Sequence, residues 1–215
     1  MRLLVFDLDG TLIDSVPDLT DALNRTLAAH DRAPFTPADI APMVGDGAGV
    51  LLRRACAARG WQASEAMVAD YIADYTAHAA EKTRPYPGIP EALATLRDQG
   101  WRMAVCTNKP AAAAEAVLAA LGLAGFFAAL GGGDSFAARK PDPAHLLGTI
   151  ARAGGWPARS VMLGDHANDI HAAAGAGVAC LFAGWGYGTP AMAEGARQVP
   201  APAAIPEAAA ALLPG

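Results

Sequence analysis

The chain has 215 residues, 53% of them hydrophobic, and carries a formal net charge of -5. This length and apolar content exclude disordered and fibrous proteins and fit one large domain, or one domain with a small insert. The acidic balance gives no basic surface of the kind that a phosphate backbone requires, so we expect no nucleic-acid partner.

The same composition bears on the compartment of the protein. No apolar run approaches the ~20 residues that a membrane helix needs, and two aspartates near the amino terminus interrupt the apolar core of any signal peptide. The three cysteines, Cys56, Cys106 and Cys180, form no CxxC pair, which favours free thiols over disulfides or a zinc site. We therefore expect a cytoplasmic protein without membrane contact, either a monomer or a homodimer.

The first predicted element is an apolar run at residues 2–6, which has no polar alternation. Such a run predicts a strand that is buried on both faces of a parallel sheet. Asp7 and Asp9 follow the strand, and Gly10 with Thr11 allows a sharp turn. Taken alone, two aspartates at a strand end fit a capped turn as well as a catalytic pair.

The next segment shows helical patterns only and contains no run of the buried-strand type. Thr36 precedes a proline as an N-cap, and Ser64 starts a later helix. We predict an all-helical cap domain at residues 16–84, inserted into a core that residues 1–15 and 85–215 form. Prolines at the exit of the cap predict a hinge.

The rest of the chain alternates between buried-strand runs and helical patterns. The strand runs cover residues 103–107, 160–165 and 178–182, and the helical patterns include residues 91–99 and 144–153. This alternation predicts an α/β fold, a doubly wound parallel sheet with a Rossmann-like core, in which ligands gather at the carboxyl ends of the strands. The Ala/Pro-rich tail that follows is either a covering helix or a loose end.

Later strand ends supply the other groups of a phosphoryl-transfer site. Thr107 and Asn108 follow one strand, Lys140 lies in a loop, and Asp165 and Asp169 follow another strand. A carboxylate nucleophile that attacks a phosphate dianion requires a divalent cation, a lysine and hydroxyl or amide donors. Mg²⁺ prefers hard oxygen ligands, which suits the carboxylates at these strand ends.

The segments FDLDGTLIDS, TNK, KPDP and GDHAND occur in the order of the four signature motifs of the haloacid dehalogenase superfamily. The chain resembles the phosphatases of this superfamily over nearly its whole length. The resemblance implies that Asp7 is the nucleophile and that Asp9 is the general acid and base. Dehalogenases of the superfamily lack the second carboxylate and need no Mg²⁺, so Asp9 argues for a phosphate substrate.

The resemblance also implies the remaining roles at the site. Mg²⁺ would be bound by Asp7, by the backbone carbonyl of Asp9 and by Asp165. Asp169 would act through a metal-bound water or by holding Lys140. The other expected residues are Thr107, Asn108 and Lys140 for phosphate binding, with Thr107 and Lys140 also catalytic, and Gly10 and Thr11 in supporting positions.

Longer strings indicate the substrate class. TLIDSVPDL, MVGDGAGVLLRRA, GGGDSFAARKPDP and WGYG resemble the bacterial phosphoglycolate phosphatases, which implies a small-molecule phosphate ester as partner, with 2-phosphoglycolate first. Phosphatases for sugar phosphates, amino-sugar phosphates and pyrophosphate are similar over the same stretches, and a phosphosugar mutase uses the same aspartate pair. A receiver-like signalling module has comparable groups, but the order of the motifs opposes that interpretation.

The predicted cap loop, Gly45-Asp46-Gly47, departs from the Gly-Asn-Gly of the phosphatases that it resembles. A carboxylate beside an anionic substrate would repel it. Three explanations stay open at this point: Asp46 points away, it pairs with Arg53 or Arg54, or the far end of the substrate is neutral or cationic.

The histidines are not expected to form a metal site, and the tryptophans are expected to be structural. His166 and His171 are five residues apart and splay across a helix, which disfavours a histidine metal site. We expect the other histidines, including His145, to face solvent. The four tryptophans should pack, with Trp185 near the cleft, and glycines 131–133 predict a flexible loop.

Overall fold

The computed structural model describes residues 1–213; residues 214 and 215, which the sequence assigns to the core, lie outside the described residues. Its strands form one large parallel sheet and one small antiparallel sheet. The strands are β1 (Leu3–Phe6), β2 (Ile13–Asp14), β3 (Arg84–Pro85), β4 (Arg102–Cys106), β5 (Ala129–Gly131), β6 (Ser160–Gly164), β7 (Ala179–Ala183) and β8 (Arg197–Val199). The α-helices are α1 (Val16–Ala28), α2 (Pro37–Ile40), α3 (Ala48–Ala58), α4 (Glu65–His78), α5 (Ile89–Asp98), α6 (Ala111–Ala120), α7 (Pro143–Arg152), α8 (Ala167–Ala176) and α9 (Ile205–Leu212).

β1 lies inside the large sheet, whose strand order is β5-β4-β1-β6-β7-β8. All residues of β1 are buried, because helices cover both faces of the sheet. Phe6, its last residue, is in register with Val105 of β4 on one side and Leu163 of β6 on the other. The chain order reverses across β1, which makes this the topological switch point of a doubly wound sheet. The predicted fold class is confirmed, and the carboxyl ends of β1, β4 and β6 meet at one edge.

Separate hydrophobic clusters cover the two faces of the sheet. α5, α6 and α9 contribute apolar side chains such as Leu93, Val117 and Ile205 to one face. α7 and α8 contribute Leu146 and Ala173 to the other. The Ala/Pro-rich tail is therefore a covering helix, α9, in contact with α5 and β7. Within residues 1–213, none of the helices combines the length and hydropathy of a membrane span.

Helices α1 to α4 pack around a hydrophobic cluster of their own. Leu23, Leu52 and Tyr71 belong to this cluster and are fully buried. Both predicted N-caps are confirmed: the Thr36 hydroxyl accepts from the amide of Asp39, and the Ser64 hydroxyl accepts from that of Met67. Because these apolar side chains are buried against one another, the helical segment has its own core and does not depend on packing against the large sheet.

The two connections between this helical segment and the sheet pair with each other. Ile13 and Asp14 of β2 lie antiparallel to Pro85 and Arg84 of β3. Nearby, the Asp18 carboxylate accepts hydrogen bonds from the amides of residues 82 and 83 and from a threonine hydroxyl. Pairing ties the outgoing and returning chains into one double connection.

Two expectations about packing are wrong. Gly131 ends β5, and a Cβ on it would lie 2.0 Å from Thr149 Oγ1, so close packing and not flexibility selects glycine. A Cβ on Gly133 would likewise lie 2.3 Å from the carbonyl oxygen of Asn108. Trp156 does not pack in the interior but is 74% exposed.

Candidate active site

Side chains from three separate segments converge at the carboxyl edge of the sheet. The Lys140 ammonium lies 2.8 Å from an oxygen of Asp7 and 2.6 Å from an oxygen of Asp169. Asp7, Asp165 and Asp169 each place one carboxylate oxygen within 4.8 Å of the others, and all three are buried. Of the two alternatives for Asp169, the structure therefore contains the contact with Lys140.

The environment changes the protonation of these groups. Burial raises the pKa of Asp7 to about 8, with Lys140 opposing it and Asp169 and Asp165 adding to it. Burial, together with Asp169, raises the pKa of Asp165 to about 7. For Lys140, burial disfavours the ammonium, but the carboxylates of Asp169 and Asp7 outweigh it and raise the pKa. Carboxylates that hold protons near neutral pH lack compensating positive charge, so the cluster fits a divalent cation.

Lys140 is held in place through its backbone by His145. The amide of Lys140 donates to His145 Nδ1 at 3.1 Å, and His145 Nε2 lies 3.2 Å from the carbonyl oxygen of Gly131. Burial and the charge of Lys140 lower the pKa of His145 to about 4, which favours the neutral ring with its proton on Nε2. The expectation that His145 faces solvent is wrong, because its ring is fully buried between these groups.

Asp165 is oriented by donors on two loops. The Thr11 hydroxyl donates to one carboxylate oxygen at 2.9 Å, and the amide of Tyr187 donates to the other at 2.8 Å. Gly10 has a φ of +84°, and a Cβ there would lie 2.3 Å from Asp165 Oδ2. A Cβ on Gly188 would lie 1.7 Å from the Asp165 carbonyl oxygen. The predicted supporting positions Gly10 and Thr11 thus contact Asp165, the first by close approach and the second by a hydrogen bond.

Asp9 has a partner to which the sequence interpretation assigns no role. Lys109 Nζ lies 2.8 Å from Asp9 Oδ1 and also contacts the hydroxyl of Tyr75, a residue of α4. The Lys109 side chain is 1% exposed, so this ammonium is inside the cleft. Its position directly after Thr107 and Asn108, within the motif TNK, was the available sequence signal.

Thr107 and Asn108 lie at the end of β4. The Thr107 hydroxyl accepts from the amide of Lys109 at 3.2 Å, which leaves its own proton to donate into the cleft. The side-chain amide of Asn108 donates to the carbonyls of Gly45 and Lys140, at 3.0 and 2.9 Å. This side chain therefore ties three segments together, and phosphate binding by Asn108 stays a prediction that would involve its backbone.

The loop Gly45-Asp46-Gly47 reaches the core beside α8. Asp46 forms an ion pair with Arg54 and accepts from the side-chain amide of Asn168 at 2.6 Å. These hydrogen bonds and the charge of Arg54 outweigh burial and lower the pKa of Asp46. Of the partners considered, Arg54 is thus the one that pairs.

Arg53 and the two histidines of the fourth motif region have structural contacts. Arg53 bonds with Glu65 at 2.7 Å. His166 is the N-cap of α8, where its ring accepts from the amide of Asn168, and His171 pairs with Glu194. Neither histidine belongs to the carboxylate cluster described above.

A small cavity separates the helical segment from the sheet edge. Its volume is about 20 Å³, room for about one water molecule, which occupies ~10–15 Å³ by this measure. Asp7, Asp9, Thr107 and Lys109 line it from the core side. The opposite wall is formed by Leu19, Val44, Gly45, Gly47, Ala48, Leu51 and Tyr75.

Comparison with known proteins places this arrangement in a family. The family model for haloacid dehalogenase-like hydrolases matches residues 1–177. The phosphoglycolate phosphatase of Agrobacterium fabrum is 47% identical over 189 residues, covering 86% of this chain and 81% of the relative. That of Mesorhizobium japonicum is 43% identical, covering 86% of this chain and 83% of the relative. The crystal structure of a predicted phosphoglycolate phosphatase from Haemophilus somnus superposes with a TM-score of 0.86 at 30% identity, covering 97% of each chain.

The family match spans all four motifs, together with the helical segment between the first two. The similarity of the solved structure extends over the same sheet and helices. The superfamily predicted from the motifs is confirmed: this chain belongs to the haloacid dehalogenase-like hydrolases.

Proposed function

We propose that the protein is a Mg²⁺-dependent phosphatase that hydrolyses 2-phosphoglycolate through a phosphoryl group carried on Asp7. The observation that carries the proposal is the buried contact of Asp7 with Lys140 inside a cluster of carboxylates at the sheet edge. The relatives named phosphoglycolate phosphatase support the choice of substrate. We also propose a cytoplasmic setting and a monomer or homodimer.

The residues at the edge fit Mg²⁺ in the proposed role. Asp7 and Asp165 would hold it with the backbone carbonyl of Asp9, because buried carboxylates with raised pKa values attract a dication. Asp169 would support the site from the side, since its oxygens already contact Lys140 and the amide of His166. When bound, Mg²⁺ supplies Lewis-acid neutralisation of the phosphate charge.

In the first proposed step, a carboxylate oxygen of Asp7 attacks phosphorus while the bond from phosphorus to the ester oxygen breaks. Asp9 gives its proton to the leaving alkoxide, and the products are the alcohol and phosphoryl-Asp7. Lys140 and the Thr107 hydroxyl stabilise the charge on the transferred group. In the second step Asp9 takes a proton from water, which attacks phosphorus and releases inorganic phosphate and free Asp7.

Residues 16–84 would act as a cap over this chemistry. Their separate hydrophobic cluster and the paired connections β2 and β3 support movement of the cap as a unit on the core of residues 1–15 and 85–215. A cavity of about 20 Å³ is too small for a phosphate ester, so the cap must open to admit the substrate. Closure would then exclude bulk water from the acyl phosphate.

Phosphate release from a panel of metabolites tests the proposal. The panel contains 2-phosphoglycolate, sugar and amino-sugar phosphates, and pyrophosphate, each with Mg²⁺ or with a chelator. We expect Mg²⁺-dependent turnover with the highest kcat/KM for 2-phosphoglycolate, reduced at least ~1000-fold by Asp7→Asn. Asp9→Asn should be slow and accumulate a phosphorylated protein in intact-mass spectra, because the proton donor and the water activator are both lost.

Three results would contradict the proposal. Robust turnover by Asp7→Asn would exclude the nucleophile, and unimpaired turnover by Asp9→Asn would reassign the proton carrier. A higher kcat/KM for another member of the panel would replace the substrate. Product analysis separates hydrolysis from phosphoryl return to a second hydroxyl, as in a mutase.

A further inference from the structure

Lys109 is a buried cation that the proposed chemistry does not use. Its side chain is 1% exposed, although an ammonium is strongly hydrated and unfavourable to bury. Among residues 1–213, its hydrogen-bond acceptors are Asp9 Oδ1, at 2.8 Å, and the hydroxyl of Tyr75. An ammonium has three protons, so one remains to be donated toward the cavity that Lys109 lines.

Lys109 lies on the side of the leaving group and not on the side of the phosphoryl group. Lys140 contacts Asp7, the proposed nucleophile, whereas Lys109 contacts Asp9, the proposed proton donor to the leaving oxygen. The two lysines thus divide the cleft into a phosphate end and a leaving-group end. A cation at the leaving-group end does not contact the transferred phosphate. It can instead bind an anionic group that lies beyond the ester oxygen.

The opposite wall offers little else to a polar leaving group. The side chains of Leu19, Val44, Ala48 and Leu51 are apolar, Gly45 and Gly47 offer only backbone groups, and Tyr75 adds one hydroxyl. A sugar would leave several hydroxyls unpaired against such a wall, which disfavours it. A small acid with one compact charge requires only a local cation.

The carboxylate of the cap loop does not oppose an anionic leaving group. Asp46 is absent from the residues that line the cavity, and its charge is balanced by Arg54 and bonded by Asn168. The concern raised by its sequence position, repulsion of an anionic substrate, therefore does not apply to this geometry.

The distances permit a direct contact between the Lys109 ammonium and the carboxylate of 2-phosphoglycolate. A general acid must approach the ester oxygen to ~2.6–3.2 Å. The carboxylate of 2-phosphoglycolate begins two bonds beyond that oxygen, and Lys109 Nζ is 2.8 Å from Asp9. A substrate oxygen at that position lies within hydrogen-bond distance of the ammonium. The Tyr75 hydroxyl accepts from Lys109 and keeps its own proton as a second donor.

We propose that Lys109, supported by Tyr75 of the cap, binds the carboxylate of the leaving group and selects 2-phosphoglycolate over esters without a carboxylate. This inference rests on the proposed function, because it assigns a residue to recognition of its substrate. Since Lys109 is on the core and Tyr75 is on α4, both donors meet the carboxylate only when the cap is closed.

The test compares 2-phosphoglycolate with ethyl phosphate, which has no carboxylate. For the wild type and Lys109→Met, the measured quantity is the ratio of kcat/KM for the two esters. Loss of a charge-assisted hydrogen bond should lower this ratio roughly 10- to 100-fold in Lys109→Met. Any effect of Lys109 on Asp9 lowers both rates and cancels in the ratio. Tyr75→Phe should lower the ratio less, and the exposed control Lys82→Met should leave it unchanged.

The outcomes separate this inference from the proposed function. If the wild type fails to hydrolyse 2-phosphoglycolate, the proposed function and this inference are both overturned. If the wild type prefers 2-phosphoglycolate and Lys109→Met keeps the ratio within about threefold, only the role of Lys109 is overturned. Should turnover of Lys109→Met be too slow, the same ratio is measured as Kd values in Asp7→Asn and in Asp7→Asn with Lys109→Met.

Discussion

Replacing Lys140 with methionine removes an ammonium that contacts both Asp7 and Asp169. Its nitrogen lies 2.8 Å from one carboxylate and 2.6 Å from the other, and its side chain is 1% exposed. At an effective dielectric constant of about 20, each contact has a Coulomb energy of about 6 kcal/mol before desolvation is subtracted. Breaking a buried ion pair by removing one partner typically lowers the free energy of unfolding by about 3–5 kcal/mol, and we expect that loss here.

The assay is denaturant unfolding of the metal-free protein at pH 8 and at pH 6. The loss should be smaller at pH 6, because burial raises the pKa of Asp7 to about 8 and this carboxyl then holds a proton at the lower pH, so it needs no ammonium beside it. As a matched control, combining Lys140→Met with Asp169→Asn should recover part of the stability, since one uncompensated carboxylate is then absent. A loss below about 1 kcal/mol at pH 8 would refute the reasoning, because a surface ion pair contributes that much.

Three further outcomes are expected. Gly10→Ala should lower Mg²⁺-dependent turnover at least ~10-fold in a phosphate-release assay, because its Cβ would lie 2.3 Å from Asp165 Oδ2 at a φ that L-residues avoid; turnover within twofold of wild type would contradict this. Asp46→Ala should raise KM, since it frees Arg54 and the loop, whereas a lower KM would show that Asp46 repels the substrate. Burial raises the pKa of Asp7 to about 8 and that of Asp165 to about 7, so protons compete with Mg²⁺ for these carboxylates. The Mg²⁺ affinity, measured by calorimetry, should therefore fall at least ~10-fold from pH 8 to pH 6. An affinity that does not change with pH would exclude these raised pKa values.

The sign of the pH effect follows from the direction of the shifts. A carboxyl whose folded pKa is raised binds more protons in the folded than in the unfolded protein between the two pKa values. For Asp7 and Asp165 this interval runs from the ordinary pKa of 3.8 up to about 8 and about 7. Their contribution to stability is therefore present at acidic pH and is lost as the pH rises through that interval. Mg²⁺ should restore stability most at the alkaline end.

Much of the core was predictable from the sequence because parallel strands are buried on both faces. β1, β4 and β6 read as short apolar runs without alternation, and each run ends at a polar or glycine residue. The rule that such strands gather ligands at their carboxyl ends then brings distant motifs together before any coordinates are known. The edge strands β5 and β8 lack that signal, because each has only three residues and neither forms a continuous run of bulky apolar side chains.

Side-chain pairing within the site was decided by tertiary structure. Lys109 and Asp9 are 100 residues apart, and their contact depends on how the loop after β4 faces the turn after β1. His145 has the spacing of an ordinary helical residue, yet the carbonyl of Gly131 and the amide of Lys140 enclose its ring. Hydrophobic periodicity reports which face of a helix is buried and carries no information on which polar atoms meet across two loops.

The sequence by itself determined the sheet, the inserted helical segment and the four strand-end motifs, because apolar runs, N-caps and motif order are local properties of the chain. Only the tertiary structure decided that Arg54, and not Arg53, neutralises Asp46, and that Lys109 lies beside Asp9. Those choices depend on which side chains of separate segments approach within a few ångströms, inside the helical segment for Asp46 and inside the core for Asp9, and no local pattern records such approaches.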